Sequence, residues 1–93
     1  MTIKFEWNTA KRLANSRKHG IDFADAATIF DGDIVILLDD RFDYGERRYL
    51  AFGLLKDKVI VVAYTERGEK IRIISARKAL KHEELTYYEQ ITD

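Results

Sequence analysis

The chain has 93 residues, enough for one small domain with a single core. It is 46% hydrophobic and 34% charged, with no proline and no cysteine, so disulfides and thiolate chemistry are excluded and a reducing cytoplasm is the expected compartment. The longest apolar run, Ile34–Leu38, is far short of the ~20 residues of a membrane helix. Met1 leads into IKFEW rather than a basic and then apolar leader, so no secretory signal is expected.

Net charge is zero, which alone argues against a nucleic-acid binder, but the charges are segregated. Residues 1–30 carry +2 and residues 31–46 carry −5, six acidic side chains against one basic. Residues 47–81 carry +7, ten basic against three acidic, and residues 82–93 carry −4. One basic surface suited to a polyanion is expected, with acidic surfaces that suit a basic partner protein.

In chain order, Ile3–Trp7 reads as a short strand. Asn8 suits a helix N-cap, and the helix formers that follow run to His19. Lys18 and His19 stand where cations favour a helix C-terminus, and Gly20 fits the left-handed position beyond it. Asp22 caps a second helix whose Phe23, Ala26, Ala27 and Phe30 form one apolar stripe. Ile34–Leu38 reads as a buried strand and Asp39–Glu46 as an acidic loop. Arg47–Leu54 and Val59–Thr65 form a hairpin around Lys-Asp-Lys, and a turn centred on Gly68 leads into a strand Ile71–Ala76. A last helix spans Lys81–Ile91, with Leu85, Tyr88 and Ile91 or Tyr87 directed inward. No repeat, linker or low-complexity stretch interrupts residues 1–93. The expected fold is a single α+β domain: N-terminal helices, an antiparallel meander, and a C-terminal helix packed back on it.

The stretch Thr65–Lys78, TERGEKIRIISARK, carries Glu66, Arg67, Arg72 and Arg77 in and around a half-buried strand. Arginines in a strand interior need a reason, and a planar, always-charged fork aimed at phosphate is a good one. Arg72 and Arg77 have opposite strand parity, so one site can use both only if the strand bulges or ends near Ala76. Each group also has a plainer explanation. Glu66 and Arg67 can be a solvated turn pair, Arg72 the wet face of an amphipathic strand, Lys18 and His19 a helix end, and the tyrosines packing residues.

No HExxH, P-loop, GxGxxG or GxSxG motif occurs. Ser16 and Ser75 have no evident histidine partner, and His19 and His82 are too few and too distant to imply a metal. Neither metal nor cofactor is expected. The remaining kit of Arg, Lys, Glu, His and Tyr suits cleavage of RNA, whose 2′-hydroxyl is its own nucleophile. The protein then needs only a base, cations for the developing charge, and a proton donor to the leaving oxygen. The alternative is a non-catalytic nucleic-acid or partner-binding module that holds phosphates electrostatically.

The opening FEWNTAKRLANSRKHGIDFADAATIF resembles the signature FEWDxxKxxxNxxKHGVxFxEAxxVF of the BrnT toxin family. GERRYLAFG, YTERGEKIRIISARK and EExxYYE are similar to later parts of that family, so the resemblance covers essentially the whole chain. It implies a RelE-like ribonuclease fold and a type II toxin–antitoxin toxin whose RNA cleavage halts translation. It also implies a ribbon-helix-helix, DNA-binding antitoxin, with which the toxin represses its own operon. Carried over residue by residue, the family's polar positions are Lys18, His19, Glu66, Arg67, Arg72 and Arg77. Arg47, Arg48, Lys70, Lys78 and Tyr88 are the accompanying candidate RNA contacts. Two positions depart from the family pattern: Asn8 stands for an Asp, and Leu80 for a Thr that caps the last helix.

Overall fold

The computed structural model describes residues 3–92; Met1, on which the expected lack of a leader rests, and Asp93 of the acidic C-terminus lie outside them. Five strands form one mixed sheet in the order β1-β5-β4-β3-β2. They are β1 (Lys4–Trp7), β2 (Val35–Asp39), β3 (Arg48–Leu55), β4 (Lys58–Arg67) and β5 (Lys70–Lys78). Strands β2 to β5 are the expected antiparallel meander, while β1 adds to β5 in parallel at the far edge. Helices α1 (Thr9–His19) and α2 (Phe23–Ala26) cover one face, and α3 (Lys81–Ile91) crosses part of the other.

Local chemistry sets the ends of α1 as expected. Asn8 Oδ1 accepts from Lys11 N–H at 3.0 Å, so the missing carboxylate charge still leaves a cap. Gly20 closes the helix with φ 71°, a conformation that glycine adopts without Cβ strain. The second helix is shorter than its apolar stripe implies. It tightens after Ala26 into a 3-10 helix, Ala27–Asp31. Phe23, Ala26 and Ile29 are the buried positions, a three-residue period that suits the tighter winding better than 3.6. Ile29 packs on Gly53 of β3, where an added Cβ would stand 2.7 Å from Ile29 Cβ, so this close approach requires glycine.

The covered face is floored by Ile60, Val62, Tyr64, Ile73 and Ala76. Aromatic contacts join Phe5 to Phe30, Phe30 to Tyr64, and Trp7 to Phe23, all with ring centroids 5.4–6.2 Å apart. The hairpin between β3 and β4 turns on Lys56 and Asp57, both with positive φ (50° and 65°), as a two-residue turn of the primed kind requires.

Two expectations about burial are corrected. Ile34–Leu38 is not a buried strand: β2 runs Val35–Asp39 at the sheet edge, and Ile36, Leu37 and Leu38 are exposed. Asp39, assigned from sequence to the acidic loop, ends β2 and is buried against Arg41. In α3, Leu85 and Tyr88 are exposed, while Glu83, Tyr87 and Ile91 face the sheet. A polar anchor decides this rotation: Arg77 binds Glu83 through two bonds of 2.7 and 2.9 Å, and residues four and eight further on follow Glu83 inward. Glu83 Oε1 also accepts from Leu80 N–H, so the helix start is held although Leu80 has no capping side chain.

Beyond Trp7, where β1 ends, α1 takes over the edge of β5. Asn15 Nδ2 donates to Ala76 O at 2.9 Å and to Ile21 O at 3.0 Å, and Asn15 Oδ1 accepts from Ala76 N–H at 3.1 Å. Asn15→Ala removes the partner of both Ala76 backbone groups and leaves Ile21 O with only a 3.4 Å bond from Ser16 Oγ. It is expected to cost about 2–4 kcal/mol, read from urea unfolding midpoints.

Candidate functional site

Register decides which side chains share a face. Opposite β4, Arg72 pairs with Thr65, Ile73 with Tyr64, and Ser75 with Ala63, so Ile74 is an extra, unpaired residue. This bulge resets the parity of β5. Arg72, Ser75 and Arg77 therefore stand opposite Thr65, Ala63 and Val61, alternate residues of β4, and all three share the face that α3 crosses. Arg48 of β3 and Glu6 of β1 lie in the same row as Thr65 and Arg72. Arg67 and Lys70 form the next row out.

On this open half of the face, cations and carboxylates alternate. Glu6 accepts from Arg72 Nη1 at 2.7 Å and lies 3.9 Å from Lys70 Nζ. Glu46 accepts from Arg48 Nε at 3.1 Å and lies 3.7 Å from Arg67 Nη2. Each carboxylate is thus shared by two cations, leaving one net positive charge per group. The Arg48 guanidinium also sits 4.1 Å above the Tyr44 ring. Half-exposed ion pairs of this kind are worth only about 0–1 kcal/mol, so a phosphodiester can replace the carboxylates with little loss.

Lys18 and His19 reach the same strand from its edge. With Lys11, Ala14 and Asn15 they line a shallow groove against Ile74 and Ser75, so the bulge lies beneath them. Ser75, without an evident histidine partner in the sequence, shares this groove with His19 and the outer face with Arg72 and Arg77.

Other sequence candidates stand apart. Glu66 pairs across the sheet with Ile71, which packs on the core beneath α2, so its carboxylate belongs to the face opposite Arg72. Lys78 pairs with Ile60 and also belongs to that opposite face, in a pocket with Gly20, Ile21 and Asp25. Arg47 is exposed just before β3, and its carbonyl accepts from Thr65 Oγ1 at 2.7 Å. Tyr87 is buried with its hydroxyl donating to Asp33 O at 2.8 Å, and burial raises its pKa, so it is occupied as a packing residue. Tyr88 packs edge-on to Tyr87 but stays exposed.

Arg77 is on the right face but is committed. Both of its terminal nitrogens bind Glu83, which holds α3 on the sheet. The Arg72 and Arg77 backbones are separated by the span of four β4 residues, ~13 Å at ~3.3 Å each. Glu6, Glu46 and Glu83, the carboxylates that organise these arginines, escaped the sequence reading. Glu83 is separated from Arg77 by five residues, a short spacing that could have marked the pair; Glu6 and Arg72 meet only through the parallel strand pair.

The Glu83 carboxyl is held below its ordinary value of 4.5, chiefly because Arg77 donates to it, with burial opposing. Its stabilising contribution is therefore complete above that value and is lost as pH falls through the lower, folded-state pKa. Glu83→Gln is expected to lower neutral-pH stability by about 1–2 kcal/mol and to flatten the acid limb of a stability-against-pH profile measured by urea unfolding.

The family model for the ribonuclease toxin BrnT of type II toxin–antitoxin systems matches residues 7–83. The crystal structure of the Brucella abortus ribonuclease toxin BrnT superposes with a TM-score of 0.63 and 28% identity, over 86% of this chain and all of that one. Comparison with curated proteins gives no significant match.

Proposed function

Because the chain belongs to the BrnT family of type II toxin–antitoxin ribonuclease toxins, we propose that it cleaves RNA without a metal ion, on the open half of the sheet face beside the β5 bulge. The observation that carries this reading is the reset parity at Ile74, which turns Arg72 and Ser75 to one face beside the groove of Lys18 and His19.

In this mechanism Arg72 binds the scissile phosphate and stabilises the charge that develops on its oxygens. Glu6 orients the guanidinium and yields to the phosphate as substrate enters. His19, whose imidazole has a nitrogen lone pair that can accept a proton, takes the 2′-hydroxyl proton, and Lys18 assists the leaving 5′-oxygen. Attack of the 2′-oxygen on phosphorus expels that oxygen and leaves a 2′,3′-cyclic phosphate. Arg67, Lys70, Arg48 and Arg47 extend the basic track along the RNA backbone. Arg77 serves by fixing the bulged strand and α3 together. Glu66 and Lys78, on the opposite face, are assigned no step. Tyr88 is left as an exposed stacking surface for a neighbouring base.

The biological setting follows from the same reading. Cleavage of messenger RNA would halt translation in the cytoplasm, and a ribbon-helix-helix antitoxin would neutralise the toxin and carry the complex to operator DNA. Among the described residues no helix is long and apolar enough to cross a membrane.

Arg72→Ala is expected to reduce cleavage of a single-stranded RNA in EDTA by about 10²–10³-fold while circular dichroism stays unchanged. Wild-type protein should leave cyclic-phosphate ends, detected by mass spectrometry, and should not cut the same strand with a 2′-deoxy residue at the cleavage position. Intact RNA after prolonged incubation with the wild type would favour a binding module or a ribosome-dependent enzyme. Equal activity in wild type and Arg72→Ala would remove Arg72 from the chemistry.

A further inference from the structure

Strand β2 has the sequence of an interior strand and the position of an edge. Val35-Ile36-Leu37-Leu38 is apolar at consecutive positions, a pattern expected where both faces are covered. Yet β2 pairs only with β3, and its other side is the end of the sheet. Ile36 and Leu38 are 48% and 53% exposed on one face, Leu37 is 43% exposed on the other, and Phe42 just beyond is 68% exposed. The unpaired backbone N–H and C=O groups of such a strand are a template for one more strand. Isolated proteins blunt such edges with lysine, proline or inward charges. β2 has neither lysine nor proline, and its one buried charge, Asp39, stands at the strand's end bound to Arg41, which leaves Val35–Leu38 unprotected.

The surroundings say what kind of strand fits. Asp31, Asp33, Asp40, Asp43 and Glu46 are exposed on either side of β2, in the segment that carries −5. Arg41, the single cation there, is tied to Asp39 by bonds of 2.8 and 3.0 Å. A second copy of this chain, paired antiparallel about Leu37, would set one −5 segment against another. A segment with apolar residues flanked by lysine or arginine meets no such repulsion, and its charges reach the aspartates at both ends.

We propose that β2 is the docking edge for the antitoxin: an extended, basic, apolar segment of that protein adds a sixth strand to the five-stranded sheet. This rests on the toxin–antitoxin reading above and deepens it by assigning the partner's surface. The edge lies at the opposite end of the sheet from Glu6 and β1, so docking need not occlude the groove of Lys18 and His19 directly.

The test uses the full chain and the antitoxin encoded beside it. The double variant Ile36→Lys, Leu38→Lys should bind that antitoxin about 100-fold more weakly by titration calorimetry, because two charges sit in the strand interface. Its RNA cleavage without antitoxin and its circular dichroism should match wild type, and Leu13→Lys, at an exposed leucine on α1, should bind normally. Amides within Val35–Asp39 of the wild type should gain protection from hydrogen exchange on complex formation. Unchanged affinity of the double variant, or no gain in protection, overturns the docking edge while leaving the ribonuclease reading intact. A wild-type dimer that the double variant converts to monomer, with antitoxin affinity unchanged, would assign the edge to a second copy and overturn the proposal as well. No complex between wild type and antitoxin would overturn it together with the partner reading.

Discussion

The amide of Asn15 binds both the N–H and the C=O of Ala76, closing the edge of β5 at the point where β1 has run out of residues. A neighbouring strand would make the same two bonds, but a strand would not bring a helix with it. Because the edge is closed by a side chain of α1, the end of that helix, with Lys18 and His19, lies along β5 instead of in solvent. The same clamp sits two residues beyond Ile74, so the backbone groups that the bulge disturbs are bordered by a fixed point. Without it, both the extra residue and the helix that overhangs it would lack a reason to hold their positions.

Electrostatics on the open face follow from sharing. No arginine on this sheet stands over a dry, apolar floor with nothing to bind; Glu6, Glu46 and Glu83 each take up guanidinium hydrogen bonds. Two of the three carboxylates are divided between two cations, which keeps the side chains ordered while leaving the face net positive. The third is buried and bidentate, and behaves as part of the scaffold. The partners distinguish an exchangeable arginine from a structural one: Arg72 holds a part-exposed acid through one bond, and Arg77 a buried acid through two.

Much of the fold was legible in the residues themselves. Asn8, Gly20 and Asp22 mark helix ends through hydrogen bonds that are local in sequence, and all three form as expected. The bounds of α3 are as read, because the residues around it change character abruptly. What was not legible depends on distant partners. An all-apolar Val35–Leu38 looks the same in a sheet centre and at an edge, and only the strand order separates the two. The rotation of α3 was set by Glu83, a residue that hydrophobicity ranks as solvent-facing. For the site, the arginines were visible as misfits in a strand, and the need for a bulge could be stated in advance. Glu66 was attractive by its neighbours in sequence, but strand alternation separates it from Arg67 and Arg72 as surely as distance does.

The parallel pairing of β1 with β5 has a consequence in time. β1 sits at the end of the sheet, so its backbone bonds can form only with Lys70–Ile73, some 66 residues later in the chain. A polypeptide leaving the ribosome therefore carries an unpaired first strand, and an unattached α1, until nearly all of it has been synthesised. The contact between Glu6 and Arg72 is among those with the greatest sequence separation in the molecule, and loop closure makes such contacts slow to form. A nascent or truncated chain lacking β5 has neither the bulge nor its overhanging helix. The topology thus makes the basic face one of the last parts of the domain to assemble.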